Sequence, residues 1–375
     1  MNIAFCSIGA LRNEKEATRI TLFHLAQELT NRGHFVTILC QKAPGYPDRE
    51  RSGGIILRRE RFPFIPQLFT PAYAVKKAEK EMKINFDIIH CFSSTPLFAL
   101  SGFLTKMVSP RVKIIHTLRS YSRTKLGNSG NFLLNLAAKV TVPHQTFARR
   151  LRTVFHNKIR IIPSSIDLSR FFPHDKKLLK RKYGYENTAV VLHYGAMWPG
   201  KGTALLLQAV SLIKASPGRE ALRFVLAPRY NTIQHLHQQV KKLNIEERVE
   251  FITGTVDIED YVNLADVVVL PYLHLEGTEG QPSCLLEAMA CKTAVITTKL
   301  PEIEELAGDS VFLVEPNKAR DLAETILLAL SDPSPAMIEK AYRRAQGFSI
   351  SNSGQKYLEL YQEVLLPEQS GTAIQ

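Results

Sequence analysis

Two carboxylates flank a glycine-rich turn in the second half of the chain. Glu279 and Glu287 lie within EGTEGQPSCLLEAMACKTAV, residues 276–295. Apolar residues after the proline predict a helix that begins near Pro282 or Ser283, because proline is favoured in the first turn of a helix. The first amides of a helix and its positive dipole end bind anions, and glycines let a phosphate approach the backbone. The glycine-rich turn and the helix start therefore favour a site for an anion such as a diphosphate, and the two carboxylates can accept hydrogen bonds from hydroxyls of the same ligand, although their spacing alone is a weak signal.

Two cations follow other predicted strands. Lys201 stands in HYGAMWPGKGT after one apolar run, and Arg229 stands in LAPRYN after the next. Ligands of open α/β sheets bind beyond the carboxyl ends of the strands, so both cations are expected near the glycine-rich turn. An ammonium group there would stabilise a leaving diphosphate without a metal ion. For Arg229 taken alone, a surface arginine is the simpler interpretation.

The lysine segment also supports a rival function, that of a P-loop nucleotide triphosphatase. Residues 195–202, GAMWPGKG, approach the pattern GxxxxGK[ST]. Gly202 stands where the pattern requires the hydroxyl that holds magnesium, and no apolar strand ending in Asp supplies the other magnesium ligand. The sequence therefore disfavours a triphosphatase.

Short β-branched runs alternate with longer helical patterns along the chain, which predicts an α/β protein with parallel sheets and helices on both faces. A chain of 375 residues favours two domains. The alternation breaks at two prolines in IIPSSIDLSRFFP, residues 161–173, and then starts again. We therefore predict two doubly wound domains, residues 1–165 and 166–349, with a polar tail at 367–375.

The segments that carry these residues resemble the retaining glycosyltransferases of family 4. Glu279 and Glu287 match the E-x7-E signature of that family, and further matches follow in family order along nearly the whole chain: NRGHFVTILC, FDIIH, IIPSSIDLSRFFP, GKG, RVEFITG, LADVVVLP and FSISNSGQKYLELY. The resemblance implies the GT-B fold, two facing Rossmann-like domains with an inter-domain cleft. Residues 1–165 would bind the acceptor, residues 166–349 would bind the nucleotide sugar, and a helix over 350–366 would cross back to the first domain.

The resemblance also assigns roles to single residues. It implies that the first glutamate and the backbone after it contact the donor sugar and phosphate, and that the second glutamate binds the ribose. The donor-binding residues expected on this basis are Gly195, Lys201, Arg229, Glu279, Gly280, Gln281, Pro282, Ser283 and Glu287. The expected catalytic residues are Glu279, Lys201 and His116. Family members usually have an arginine after the glycine that matches Gly195, where this chain has Ala196.

Three residues of the first domain are candidates for the acceptor side. His116 stands at a predicted strand end in HTLRSY, where the family often has a histidine that faces the reacting sugar. His90 in FDIIHCFSS is a weaker candidate of the same kind, and for both a structural histidine is the alternative. Gly9 lies in IGALRNEKEAT, which lacks the paired glycines common in the family and carries Glu14 and Glu16 instead.

The excess positive charge lies in the first half of the chain. Of the net charge of +13, residues 1–170 contribute 27 Lys and Arg against 10 Asp and Glu, whereas the remainder has 21 against 25. The densest part runs from Arg58 to Lys83 and interleaves basic and aromatic residues, which suits either an anionic membrane surface or a solvated face. No helix-turn-helix, zinc or RNP-type signature accompanies the charge, so nucleic acid is not an expected partner.

The cellular compartment is predicted from the short length of the apolar segments and from the composition of the first residues. No apolar run reaches the roughly 18 residues of a membrane span, and the first residues lack the basic head of a signal peptide. The five cysteines show no CxxC spacing and are expected to be reduced core thiols. We predict a cytoplasmic protein, with a peripheral position on the inner membrane face as one interpretation.

The sequence as a whole predicts a retaining, metal-independent glycosyltransferase without a cofactor. Its donor would be a UDP- or GDP-linked sugar, and its acceptor a lipid-linked or cell-envelope glycan. The alternative is a GT-B protein that binds nucleotide or glycan without efficient transfer, because Ala196, Lys292 and the glycine-poor first loop depart from the family pattern. A nucleotide-sugar epimerase is a third interpretation, and the family order of the segments speaks against it.

Overall fold

The computed structural model describes most of the 375-residue chain. The described residues are 1–7, 17–42, 44–60, 70–92, 98–119, 131–214, 221–230, 233–254, 256–276 and 280–366. Two predicted site residues, Gly9 and Glu279, lie outside them.

The chain divides into two compact units. Unit 1 comprises Met1–Ser165 together with the chain from Ile350 onward, and unit 2 comprises Ile166–Ser349. Each unit has its own sheet.

Unit 1 contains an eight-stranded sheet. Its strands are β1 (Asn2–Ser7), β2 (Phe35–Gln41), β3 (Arg49–Ser52), β4 (Ile55–Glu60), β5 (Ile88–Phe92), β6 (Lys113–Thr117), β7 (Lys139–Val142) and β8 (Ile159–Ile161). The helices in its first segment, Met1–Ser165, are α1 (Ala17–Asn31), α2 (Thr70–Met82), α3 (Phe98–Val108) and α4 (Gln145–Ala148). The strand order is β3-β4-β2-β1-β5-β6-β7-β8, and every pair is parallel except β3 with β4.

Unit 2 contains a six-stranded, fully parallel sheet. Its strands are β9 (Ala189–Gly195), β10 (Leu222–Pro228), β11 (Val249–Phe251), β12 (Val267–Leu270), β13 (Ala294–Thr298) and β14 (Phe312–Val314). Its helices are α5 (Lys176–Lys182), α6 (Thr203–Lys214), α7 (Gln234–Lys242), α8 (Ile258–Leu264), α9 (Ser283–Ala290), α10 (Pro301–Ala307), α11 (Ala319–Ser331) and α12 (Pro335–Gln346). The order β11-β10-β9-β12-β13-β14 is the 3-2-1-4-5-6 order of a dinucleotide-binding fold.

The central strands are apolar because helices cover both faces of each sheet. Every residue of β5, β12 and β13 is buried, as parallel strands without a solvent-facing side require. Separate apolar clusters lie on the two faces of each sheet. The predicted class, α/β with two parallel-sheet domains, is confirmed.

The last helix, α13 (Ile350–Leu365), returns to unit 1 and packs against α1. Arg32, directly after α1, donates to the Ser351 hydroxyl at 3.0 Å. On the inner side of α13, Tyr357 and Tyr361 are buried in the apolar cluster beneath β1. The helix is therefore an integral part of the first unit although it is distant in sequence.

Two basic residues of the segment from Arg58 to Lys83 are buried, so they contribute neither to a membrane surface nor to a solvated face. Arg58 and Arg59 belong to β4, and each is 2% exposed. Arg58 pairs with Glu60 at 2.9 Å and with Glu81 at 2.6 Å, and these carboxylates neutralise its charge. Two of the basic residues of this segment therefore cannot contact lipid.

A further basic surface remains on α2. Tyr73, Lys76 and Lys80 are exposed along one side of the helix, and Lys83 follows its end. Among the described residues no helix is long and apolar enough to cross a membrane.

Candidate functional site

The candidate site in unit 2 lies where the strand order of the sheet reverses. The strands β9 and β12 are neighbours there, and helices leave them in opposite directions along the sheet. In open α/β sheets the crevice at this point, beyond the carboxyl ends of the strands, binds ligands. The predicted donor residue Gly195 is the last residue of β9 and Lys201 follows that strand, while the turn into α9 follows β12.

The loop after β9 is held against the end of β12 by close backbone contacts. A 3-10 turn, Pro199–Lys201, ends at Gly202, which has a φ of +74° in the left-handed region. A Cβ at Gly202 would lie 1.8 Å from the carbonyl oxygen of Pro271. A serine or threonine cannot occupy this position, which removes the structural basis for the P-loop alternative.

Helix α9 supplies the amide-rich end that the sequence predicts. It begins at Ser283, with Pro282 in the N-cap position, and the first amides of a helix have no acceptor within the helix. Gly280 and Gln281 are buried immediately before it. The predicted residues Gly280, Gln281, Pro282 and Ser283 therefore surround the positive end of the helix dipole.

Glu287 lies one turn into α9 and is fixed by a tyrosine of β9. The Tyr194 hydroxyl is 3.0 Å from Glu287 Oε2 and 2.9 Å from the carbonyl oxygen of Cys284. The carboxylate keeps some accessible surface, yet burial raises the pKa of Glu287, while the hydrogen bond from Tyr194 and the charge of Arg229 lower it. The hydrogen bond orients the carboxylate, and cationic neighbours favour its ionised form.

Two cations accompany this carboxylate. The Lys201 ammonium lies 4.7 Å from the centre of the Tyr272 ring, a cation–π contact that fixes its position. The Arg229 amide donates to the Gly195 carbonyl at 2.9 Å, which ties the ends of β9 and β10 together. Burial raises the pKa of the Cys284 thiol to about 12, while the charges of Arg229 and Lys201 lower it, so both charges act on the start of α9.

A buried histidine braces the same edge of the sheet. His193 accepts a hydrogen bond from the Thr203 hydroxyl at its Nε2, and its Nδ1 donates to the Val269 carbonyl, each at 2.9 Å. Because a carbonyl only accepts, the Nδ1 carries the proton and the ring is neutral. Burial lowers the pKa of His193 to about 4. The ring thus joins β9, β12 and the start of α6.

His90 in unit 1 has structural partners on both ring nitrogens. Its Nδ1 lies 2.5 Å from the Tyr361 hydroxyl on α13, and its Nε2 lies 2.5 Å from the Thr117 hydroxyl on β6. The residue is 0% exposed. These contacts fasten α13 to the sheet, and the predicted acceptor-side role of His90 has no support among them.

His116 is also enclosed by the sheet of unit 1. It lies within β6, next to Cys91 of β5 in the strand register, and is 0% exposed. Burial lowers the pKa of His116 to about 4, so the ring is neutral near pH 7. Its predicted contact with the donor sugar or acceptor stays a prediction, as do the roles of Gly9 and Glu279.

Lys292, one of the departures from the family pattern, lies at the far end of α9. Its φ is +55°, in the left-handed region that favours glycine, which accounts for the glycine usual there. Its ammonium pairs with Glu339 at 2.8 Å and lies over the Tyr342 ring. An eight-residue helix of about 12 Å separates it from Ser283. Lys292 is therefore accommodated away from the donor residues.

Three supporting residues, Tyr194, Tyr272 and His193, could not be recognised from local sequence pattern. Each lies in or directly after a strand whose residues are nearly all buried, so alternation along the strand gives no signal. Tyr194 in HYG directly precedes the predicted site residue Gly195, and this position was the one sequence signal for any of the three.

Two family models match separate parts of the chain. The family model for Glycosyltransferase Family 4 matches residues 19–170, and the model for Glycosyl transferases group 1 matches residues 188–332. Together the two models span most of both units.

Three similar proteins extend over nearly the full chain. N-acetyl-alpha-D-glucosaminyl L-malate synthase of Bacillus anthracis is 27% identical over 367 residues, 92% of this chain and 94% of that protein. Sucrose-phosphate synthase from Thermosynechococcus elongatus matches with a TM-score of 0.79 and 21% identity, over 97% of this chain and 98% of the other. Anabaena HepE in complex with UDP matches with a TM-score of 0.76 and 20% identity, over 97% and 100%. The two solved structures show that the fold is of the GT-B type.

Proposed function

Because this chain belongs to the family 4 glycosyltransferases, we propose that it transfers a sugar from a nucleotide-sugar donor bound in unit 2, with retention of the anomeric configuration. Glycosyl transfer is the activity of the family and of the similar proteins.

The diphosphate of the donor would lie against the start of α9. The amides after Pro282 and the dipole of the helix favour an anion, and Lys201 and Arg229 add two positive charges. In the transition state the sugar–phosphate bond breaks and negative charge grows on the leaving diphosphate. Cations that are already in place stabilise this charge more than that of the bound donor, which accelerates the reaction.

Glu287 would accept hydrogen bonds from the ribose hydroxyls. The single observation that carries the donor proposal is the geometry of this carboxylate: Tyr194 holds it one turn above the amides at the start of α9. In a nucleoside diphosphate the ribose is bonded to the diphosphate through its 5′ oxygen, and one turn of helix is about 5 Å. The spacing therefore supports a nucleoside diphosphate as the ligand.

The reaction is proposed to proceed without a catalytic base from the protein. The acceptor hydroxyl attacks from the face that the diphosphate leaves, and an oxygen of the leaving group takes the proton. The protein then contributes orientation and charge stabilisation. Metal independence is part of this proposal, since Lys201 and Arg229 would supply the positive charge. Full turnover in excess EDTA supports it, and loss of turnover that magnesium restores contradicts it.

A lipid-linked or cell-envelope glycan is proposed as the acceptor, held at the membrane by the exposed side of α2. Tyr73, Lys76 and Lys80 support this proposal, whereas Arg58 and Arg59 do not contribute. Binding to anionic vesicles that weakens with salt is expected, together with a further loss in the variant Lys76→Gln/Lys80→Gln. Equal binding to neutral vesicles contradicts it.

The direct test is a donor panel. UDP, GDP and ADP conjugates of hexoses and N-acetylhexosamines are incubated with the protein, and the free nucleoside diphosphate is measured. UDP-N-acetylglucosamine is the first choice, because the Bacillus anthracis relative is named for an N-acetylglucosaminyl transfer and HepE was solved with UDP. Release above the Glu287→Ala background supports transfer. Binding without release favours the alternative, a protein that keeps the site but not the catalysis.

A further inference from the structure

A polar recess of about 340 Å³ lies in unit 1, away from the carboxyl ends of the strands. Four lysines line it, Lys106, Lys113, Lys139 and Lys158, and Glu363 of α13 is its one acidic lining residue. Apolar side chains from β6, α13 and the turn before β7 form the remaining wall.

The topology of the sheet brings these lysines together. Lys113 is the first residue of β6, Lys139 is the first residue of β7, and Lys158 directly precedes β8. The three strands are parallel neighbours, so their amino ends lie side by side. Lys106 is added from the last turn of α3, which packs on β6. Ligands of such sheets ordinarily bind at the opposite, carboxyl edge, so the recess is separate from that edge.

The sequence of this part of unit 1 contains no acidic residues. Residues 88–166 contain twelve Lys and Arg and no Asp or Glu. At the average of 35 acidic residues in 375, about seven would fall in a stretch of this length. The stretch includes all four lysines of the recess.

The positive charge of the recess is only partly neutralised. Glu363 accepts from Lys139 at 2.8 Å and from Arg160 at 2.7 Å, so one carboxylate serves two cations. Lys158 donates to the Ala137 carbonyl at 2.9 Å, which fixes its ammonium without cancelling its charge. Lys106 and Lys113 form no ion pair or side-chain hydrogen bond with another residue in the described part of the chain.

We propose that this recess binds a phosphate group carried by a larger molecule. Converging ammonium groups favour a ligand with a concentrated negative charge, and charge-assisted hydrogen bonds to phosphate are among the stronger ones. The apolar wall, which includes Val364 and the exposed Leu366, accommodates an uncharged part of the same molecule. The headgroup of an anionic lipid and a soluble phosphate compound both supply this chemistry. Neither depends on the donor proposed for unit 2.

Amine footprinting measures how accessible each lysine of the recess is to acetylation. The intact protein is acetylated briefly, and the modification of each lysine is quantified by mass spectrometry of its peptides. Pyrophosphate is the soluble probe, vesicles of phosphatidylcholine with phosphatidic acid are the lipid probe, and pure phosphatidylcholine vesicles are the control. We expect at least threefold slower modification of Lys106 and Lys113 with pyrophosphate or with the anionic vesicles, and no change at Lys356 on α13. Because protection is read at named lysines, pyrophosphate bound in unit 2 does not confuse the result.

Two variants that change the charge of the recess should change its affinity for the probe in opposite directions. The variant Lys106→Gln/Lys113→Gln should weaken binding of the protecting probe at least tenfold, and Glu363→Gln should strengthen it, because Lys139 and Arg160 lose their competing carboxylate. Lys356→Gln is the matched control on an exposed turn of α13. Protection by pyrophosphate alone identifies a soluble ligand, and protection by phosphatidic acid alone identifies a lipid. Absence of protection by both, or equal protection by pure phosphatidylcholine, overturns the proposal.

Discussion

The hydroxyl of Tyr194 lies 3.0 Å from the Glu287 carboxylate, and this contact joins the carboxyl end of β9 to α9, one turn after the start of that helix. Tyr194 is 5% exposed, and burial raises the pKa of its hydroxyl well above the ordinary value of 10. The phenol therefore keeps its proton and acts as the donor. The hydrogen bond therefore fixes the orientation of the Glu287 carboxylate relative to the start of α9.

Removing either partner of this pair should lower the catalytic efficiency to a different extent. Glu287→Gln removes the charge and one acceptor, and we expect at least a tenfold loss in kcat/KM, whereas Tyr194→Phe removes one hydrogen bond and should cause about a threefold to tenfold loss. Steady-state kinetics with the active donor measures both. Glu315→Gln, at an exposed carboxylate directly after the edge strand β14, is the control. Unchanged kinetics in Glu287→Gln would contradict the ribose assignment.

Replacement of Lys201 should lower the turnover rate much more than the stability of the fold. Lys201→Met removes the cation next to the leaving diphosphate, and we expect kcat to fall at least tenfold, about 1.4 kcal/mol of transition-state stabilisation. The melting temperature should change little, because the ammonium is partly accessible. Lys241→Met, at an exposed lysine on α7, is the matched control and should behave like the unmodified protein. Equal kcat for the two variants would show that the Lys201 charge is not used.

Tyr272 should position that lysine. Its ring lies beneath the Lys201 ammonium at 4.7 Å, and its side chain is 2% exposed. Tyr272→Leu keeps an apolar side chain but removes the ring, and cation–π contacts contribute about 0.5–2 kcal/mol. We expect kcat to fall less than in Lys201→Met, and the double variant to be no slower than Lys201→Met alone. Additive losses in the double variant would indicate that the two residues act independently.

Gly202 should be the most restricted glycine of the donor loop. In Gly202→Ala the new Cβ meets the Pro271 carbonyl at 1.8 Å, and the residue must also adopt a positive φ. Gly184→Ala is the matched control, because Gly184 has a φ of +78° but no atom within 4 Å of its Cβ position. The control should lose about 1–2 kcal/mol of unfolding free energy from the backbone alone. Denaturant unfolding should show a larger loss for Gly202→Ala, and equal losses would contradict the close contact.

Buried histidines should make the protein less stable as the pH falls. His193 and His116 have folded-state pKa values of about 4, below the ordinary 6.5, so between these values the unfolded chain binds protons that the folded chain does not. The stabilisation is complete above about pH 6.5 and is lost as the pH falls towards 4. Between about pH 7.5 and 5.5 each ring should account for a loss of roughly 1 kcal/mol of unfolding free energy.

Urea unfolding across that pH range measures the effect. His235→Gln, at an exposed histidine on α7, should leave the pH dependence unchanged. An unfolding free energy that stays constant from about pH 7.5 to 5.5 would contradict the neutral, buried state of the two rings.

The sequence predicts the sheets well because their strands are short apolar runs between clear turns. The runs NIAFCSI, FVTILC, AVVLHYG and ADVVVLP correspond to β1, β2, β9 and β12. The strand β4, with the sequence IILRRE, was interpreted as part of a basic surface, since two adjacent arginines ordinarily face water. Only the three-dimensional pairing with Glu60, Glu81 and Glu50 allows their burial.

The parts of the site that depend on local sequence pattern could be predicted. The parts that depend on contacts with residues distant in sequence could not. The turn into α9 and the position of Glu287 follow from Pro282 and the apolar spacing after it. The partners of His90 could not be inferred, because Tyr361 is 271 positions away in the sequence. A histidine at a strand end has the same local appearance whether it contacts a substrate or fastens a helix.

The central claim is that the start of α9, with Lys201 and Arg229, holds the diphosphate of a nucleotide sugar. Isothermal titration calorimetry with UDP, GDP, ADP and their sugar conjugates tests it most directly. The account predicts binding of at least one nucleoside diphosphate, weakened at least tenfold in Lys201→Met/Arg229→Met and unchanged in Lys241→Met. Absence of binding by every nucleotide at millimolar concentration, or equal affinity in the two variants, would contradict it.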